Sequence, residues 1–238
     1  MTAEQSQEVE RAIARLRSFH EGNFGVITVI ACGKEAVPAL RTMLFERERS
    51  GLYQARCRAV EALAALGAHD VLIEFLEADR TIVDPVERVG EDAVINAAAL
   101  ALANLREQHV FEMLLRLAQR PALTGVIGSL GAFGRVEAIP ALIDALEEDA
   151  SRPTAEAALR RLGRPARAAL LRAASAQVPS GERESESSAR RRRSALGLLA
   201  EMGVPRDAWP SLRPLMRDND AKIAALACKN LFRSCRGS

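Results

Sequence analysis

The chain has 238 residues, and its 33 lysines and arginines against 31 aspartates and glutamates leave a formal net charge of +2. So even a balance gives no broad attraction to nucleic acid, and no segment has the length and apolarity of a membrane span. Four scattered cysteines (Cys32, Cys57, Cys228, Cys235) lack the paired spacing of a zinc site, and the three histidines have no acid or nucleophile nearby in a known arrangement.

The opening Met1-Thr2-Ala3-Glu4-Gln5 reads as a helix cap followed by charges, without an apolar signal region, so the expected compartment is the cytoplasm. Residues 4–20 and 24–32 make a partial N-terminal unit, 1–32. After Gly33, Ala36-Val37-Pro38-Ala39-Leu40 opens a first helix, and residues 56–66 form a second one closed by Gly67. Val60, Leu63 and Leu66 recur at three-residue steps with alanines between them, an apolar stripe of helical period. The next first helix is predicted at 71–76.

An insertion, 78–94, then interrupts the pattern. Asp84-Pro85-Val86-Glu87 has the form of an N-cap, a proline at the first helical position and a capping-box glutamate. A short helix is expected to stop at Gly90, before Glu91 and Asp92 open a helix that runs through 95–105. The acids Asp79, Asp84, Glu87, Glu91 and Asp92 make an acidic edge, which serves either the helix dipole or a cation or basic partner. Asn96, one turn beyond Asp92, shares its face.

First helices follow at 110–117 and 139–146, the latter opened by Ala138-Ile139-Pro140-Ala141-Leu142, nearly the phrase met at Ala36. The second helix of that unit ends at Leu162-Gly163, and a further first helix covers 166–173. A second insertion, 176–193, is polar and turn-rich: Pro179-Ser180-Gly181, then Glu182, Glu184 and Glu186, then Arg190-Arg191-Arg192-Arg193. Four arginines at the start of a helix predicted at 190–202 oppose the dipole preference for acids there. Either the loop's own glutamates fold back on them or an acidic partner or phosphate docks. A last first helix is predicted at 209–216. Pro38, Pro140, Pro165, Pro205, Pro210 and Pro214 fall in or near opening turns, where a missing N–H costs little. Pro214 lies too deep for that, so a kink or a late helix start is expected.

Self-similarity at this period means a stacked array, in which each helix pair buries its stripe against the next. Alanine supplies 43 residues, concentrated in the second helices, where small side chains let helices approach closely. Ala-Val/Ile-Pro-Ala-Leu, a polar turn, then Arg-x-x-Ala-x-x-Ala-Leu-x-x-Leu-Gly resembles the HEAT-like repeat family, especially the short bacterial type also found in phycobilisome lyases. The match is good in 33–67 and 134–163. The expected fold is all-α: an α-solenoid of about six stacked antiparallel helix pairs, a HEAT-like superhelix, in one domain covering 1–238.

In stacked pairs the second helices line the concave side, so their N-terminal turns face a common groove. The candidate partner-binding residues are Tyr53, Arg56 and Glu61, then Glu91, Asp92 and Asn96, then Arg152, then Arg190 and Arg193. This groove of mixed charge suits a protein or peptide that presents both signs and does not suit a uniform polyanion. Arginine outnumbers lysine thirty to three, which coding bias explains better than phosphate recognition does. No P-loop, GxSxG elbow or HExxH is present, and nothing calls for a cofactor or a metal. The expected function is a non-enzymatic protein-protein interaction scaffold or adaptor. The resemblance leaves two alternatives: an accessory factor or lyase of the phycobilisome-lyase type, and a HEAT-like DNA-repair glycosylase. One tryptophan and one tyrosine argue against both.

Overall fold

The computed structural model describes residues 3–47, 53–78, 81–121, 123–176, 184–204 and 206–236. They form fourteen α-helices joined by turns and short 3-10 segments, with no strand among the described residues. The chain is an all-α helical-repeat solenoid, as its periodicity predicts. Its contacts divide it into two compact units, Met1–Leu114 and Leu115–Ser238.

The first unit contains α1 (Ala3–Leu16), α2 (Gly22–Ala31), α3 (Val37–Phe45), α4 (Gln54–Ala65), α5 (His69–Glu77) and α6 (Pro85–Ala101). The division falls within α7 (Gln108–Leu117). First helices α1, α3 and α5 form one layer and second helices α2, α4 and α6 the other, each second helix packing on its neighbour in the layer. Leu16, Val29, Leu40, Leu44, Leu63, Leu72 and Phe75 are wholly buried between the layers. Phe45 meets Phe75 edge to face, with ring centroids 5.7 Å apart. Arg58 reaches back from α4 and donates to the carbonyls of Leu16 and Ser18 at 2.8 and 2.9 Å, satisfying the C-terminal end of α1.

The second unit holds α8 (Thr124–Phe133), α9 (Ile139–Asp144), α10 (Arg152–Leu162), α11 (Arg167–Ala174), α12 (Glu186–Met202), α13 (Trp209–Leu212) and α14 (Ala221–Arg236). Here α8, α10, α12 and α14 pack in succession, while α9 and α11 form the facing layer. Leu130, Leu142, Leu159, Leu170, Leu196 and Ile223 fill the space between. Helices α8 and α10 approach closely because Gly131 faces Ala158; a Cβ on Gly131 would lie 2.7 Å from that of Ala158.

Local sequence explains the helix ends. Gly67 has φ 71°, and the N–H groups of Gly67 and Ala68 donate to the carbonyls of Ala64 and Leu63 at 3.0 and 2.9 Å. That is a Schellman stop, and a side chain at position 67 would strain it. At the other end, the Asp84 carboxylate accepts from the N–H groups of Val86 and Glu87 and so starts α6.

Two boundaries differ from the sequence reading. Gly90 does not stop a helix, because α6 runs unbroken through it from Pro85 to Ala101. Val94, Ile95 and Ala98 continue in helical phase and are buried, and their packing outweighs the roughly 1 kcal/mol propensity cost of an interior glycine. Likewise α12 begins at Glu186, with Ser185 as its cap accepting from the Ser188 N–H, so Arg190 lies beyond the first turn. The conflict with the helix dipole disappears. Pro214 does break its helix: α13 ends at Leu212 and Pro214 opens a 3-10 turn, Pro214–Arg217. Asp79, Pro179, Ser180, Gly181, Glu182 and Pro205 lie outside the described residues. No described helix is long and apolar enough to cross a membrane.

Candidate partner-binding site

The predicted site residues of the first unit fall into two groups. Arg56, expected to face solvent, is buried, and so is Glu91. Arg56 Nη1 donates to Glu91 at 2.6 Å and its Nε to the Leu44 carbonyl at 2.8 Å, with the guanidinium 5.5 Å from the Phe75 ring centroid. The correction has a simple cause: residue 56 lies on the buried stripe of α4, three and four residues before Ala59 and Val60. This pair joins α3, α4 and α6 and presents no surface to a partner. The other residues remain accessible. Glu61 is exposed on α4, Tyr53 is half-buried just before α4, and Asp92 and Asn96 are half-buried on α6.

In the second unit the arginine run is answered from within. Arg190 donates to Asp149 at 2.7 Å and to the Glu147 carbonyl at 3.2 Å. Arg191 pairs with Glu147. Arg192, buried, reaches Glu184 at 2.7 Å, Asp218, and the Ala174 carbonyl at 3.2 Å. Arg193 holds Asp220 at 2.5 Å and Glu186 at 2.8 Å. Of the two explanations open for the run, the loop's own glutamates supply part of the first, since Glu184 and Glu186 both fold back.

Arg193's bonds to Glu186 and Asp220 raise its pKa above the usual arginine value. The same bond from Arg193 holds the Glu186 carboxyl below the ordinary carboxylate range. Arg152 also pairs with Asp149, at 2.7 Å, so Arg152, Arg190 and Arg193 do converge. With Asp149, Glu186 and Ser194 they line a pocket of about 410 Å³ in which each arginine is paired with a carboxylate and three cations face two acids.

Sequence reasoning missed an apolar surface. In the first unit, Phe24 and Ile27 on α2 and Val86, Val89 and Leu100 on α6 are more than half exposed. On α6 the spacing of Val86, Val89, Ala93, Ala97 and Leu100 follows the helical period and traces a second stripe, opposite the buried one. That stripe was readable, but it was hidden by the expected stop at Gly90. Among the described residues, no group of three or more His, Cys, Asp or Glu is placed to hold a metal ion.

The sequence profile of the PBS lyase HEAT-like repeat matches residues 125–148, which take in most of α8, the turn after it, and α9. Among curated proteins none matches the chain. Two solved structures are loosely similar. The crystal structure of an engineered protein is 15% identical over 97% of this chain and 69% of its own, with a TM-score of 0.47. A designed armadillo repeat protein is 16% identical over 97% of this chain and 92% of its own, with a TM-score of 0.30.

Proposed function

We propose that this chain, which carries a HEAT-like repeat at residues 125–148, is a non-enzymatic scaffold that holds another protein against its second helices. One asymmetry carries the reading. In the first unit, the large apolar side chains exposed on helices among the described residues lie on second helices α2 and α6, whereas first helices α1, α3 and α5 expose none. A helix face that serves only as an outer surface has no use for such residues, and contiguous apolar exposure marks interaction sites.

The proposed contacts centre on Val86, Val89 and Leu100, with Tyr53, Glu61, Asp92 and Asn96 as polar surroundings. Arg152, Arg190 and Arg193 offer a second, charged contact in the other unit. The partner is a protein or peptide with apolar anchors and charges of both signs. We place this work in the cytoplasm, where thiols such as Cys32, Cys57 and Cys228 stay free.

Affinity capture from the native cell, run in parallel on the wild type, V86D/V89D and a first-helix control, Asp144→Lys, tests the proposal. A partner that is lost only from V86D/V89D supports it. Loss with Asp144→Lys and retention with V86D/V89D overturns it.

A further inference from the structure

The second unit carries a pocket of another character, far in chemistry from the valine stripe. The segment from α13 through the 3-10 turn Pro214–Arg217, together with the last turns of α14, encloses about 770 Å³. Trp209, Met216, Leu231 and Phe232 give it an apolar wall, and Arg213 and Arg217 stand on the same lining. Phe232 is 67% exposed and Met216 40%. No acidic side chain lines the pocket among the described residues.

The two arginines differ from the paired arginines of this unit, and of the unit's unpaired, exposed arginines they are the ones beside this apolar wall. Arg160 is answered by Glu201, and every arginine from Arg190 to Arg193 has a carboxylate partner. Arg213 and Arg217 have neither a side-chain hydrogen bond nor an ion pair among the described residues, and both are exposed. They are four residues apart beside this solvent-exposed apolar wall. The lining combines aromatic surface with unmatched positive charge.

We propose that this pocket binds an acidic peptide segment with an apolar anchor. An aromatic or branched aliphatic side chain of the partner seats against Trp209, Met216 and Phe232, and carboxylates about one helical turn away pair with Arg213 and Arg217. Guanidinium groups match carboxylates bidentately, and tryptophan and arginine are both among the residues enriched where binding energy concentrates. Even with Arg206, whose guanidinium lies 6.0 Å from the Trp209 ring centroid, three cations fall short of the cluster of about 4–8 basic residues that reads as binding an anionic bilayer. They are also too few to neutralise a run of nucleic-acid phosphates. The site is independent of the α2 and α6 face, and either can fail alone.

Trp209 is the only tryptophan of the chain, so its emission reports on this pocket directly. The full chain is titrated with a short synthetic helix of glutamate, leucine and phenylalanine, and with its counterpart carrying lysine for glutamate. The acidic peptide is expected to shift Trp209 emission to the blue with saturation. R213Q/R217Q should weaken it about tenfold, and R213E/R217E should transfer preference to the lysine peptide. Circular dichroism shows whether each variant keeps its helices; if the reversal unfolds, the glutamine pair decides. An equal response to both peptides, or unchanged affinity in R213Q/R217Q, overturns the proposal. So does an emission shift that appears with protein concentration alone alongside dimers in sedimentation, which would make a second copy the occupant. A shift given by phosphatidylserine vesicles and not by the acidic peptide overturns it as well.

Discussion

Arg192 makes in the second unit the bonds that Arg56 makes in the first. Each lies on a second helix and donates Nε to a carbonyl in the last turn of the preceding first helix, Leu44 for Arg56 and Ala174 for Arg192. Each then gives a terminal nitrogen to an acid of the following second helix or its approach, Glu91 on α6 and Asp218 before α14. Both arginines are buried. The repeat therefore contains a polar tie that closes the end of one helix and fixes its register against the next.

Removing one partner of such a pair leaves a buried charge without its counter-ion, which costs roughly 3–5 kcal/mol. Arg56→Ala should accordingly lower the urea midpoint by an amount worth about 3 kcal/mol or more. The double change Arg56→Met with Glu91→Leu should cost much less, because an apolar pair of similar volume needs no counter-charge. Equal losses in the single and double variants would remove the electrostatic explanation and leave packing alone.

These arginines also show where the sequence was readable and where it was not. The helix stripes, the Gly67 stop and the break at Pro214 all depend on neighbours in the chain, and they were legible. Burial of Arg56 depends on where Leu44, Phe75 and Glu91 arrive in space, and polarity alone suggested solvent. A signal existed, however. Arg56, Glu91 and Arg192 each stand three and four residues before buried apolar positions: Ala59 and Val60, Val94 and Ile95, Ala195 and Leu196. A charge in phase with an apolar stripe is a candidate for a buried pair. Gly90 failed differently, because a glycine stops a helix only where the backbone leaves the helical region, and here α6 stays helical through it, with its buried positions starting at Gly90 and continuing to Ala99.

Two glycines should respond to alanine in opposite directions. At Gly131 the new Cβ would lie 2.7 Å from the Ala158 Cβ, so α8 and α10 must separate, at about 1–3 kcal/mol. At Gly197 in α12 nothing lies within 4 Å of the added carbon. There, alanine restricts the unfolded chain and favours the helix, a gain of about 0.4–1 kcal/mol. Thermal unfolding of the two variants checks both signs; destabilisation by Gly197→Ala would count against the geometry given for α12.

Acid should loosen α12. A hydrogen bond from Arg160 holds the Glu201 carboxyl below its usual range, and one from Arg193 does the same for Glu186. Burial pushes Asp220 up, but bonds from Arg193 and from the Ile223 and Lys222 N–H groups outweigh it and bring it down. Each folded value lies below the unfolded one, so the unfolded chain takes up protons first as pH falls. The stability these acids give is complete above the ordinary carboxylate pKa of about 4 and is lost as pH drops through the depressed values. The protection factors of the α12 amides, exchange rates taken relative to the intrinsic rate at each pH, should thus fall below about pH 4, and Arg193→Gln should flatten that pH dependence. An unchanged profile in Arg193→Gln would show that the network contributes nothing measurable.

The valine stripe of α6 gives the sharpest separation of stability from binding. Val86 and Val89 are 63% and 66% exposed, so aspartate at either costs little burial, and stability should stay within about 0.5 kcal/mol of wild type. Val94 lies on the opposite side of the same helix and is wholly buried, so Val94→Asp should unfold the first unit. Once a partner is in hand, V86D/V89D should weaken its binding at least about tenfold, as expected when anchors are lost from the centre of an interface. Glu112→Lys on α7 and Asp144→Lys on α9, exposed charges on first helices, should leave it unchanged. Isothermal titration of the four variants against the purified partner measures all of this together with urea melts. Full-strength binding by V86D/V89D, with Glu112→Lys or Asp144→Lys abolishing it, would move the working surface to the first helices.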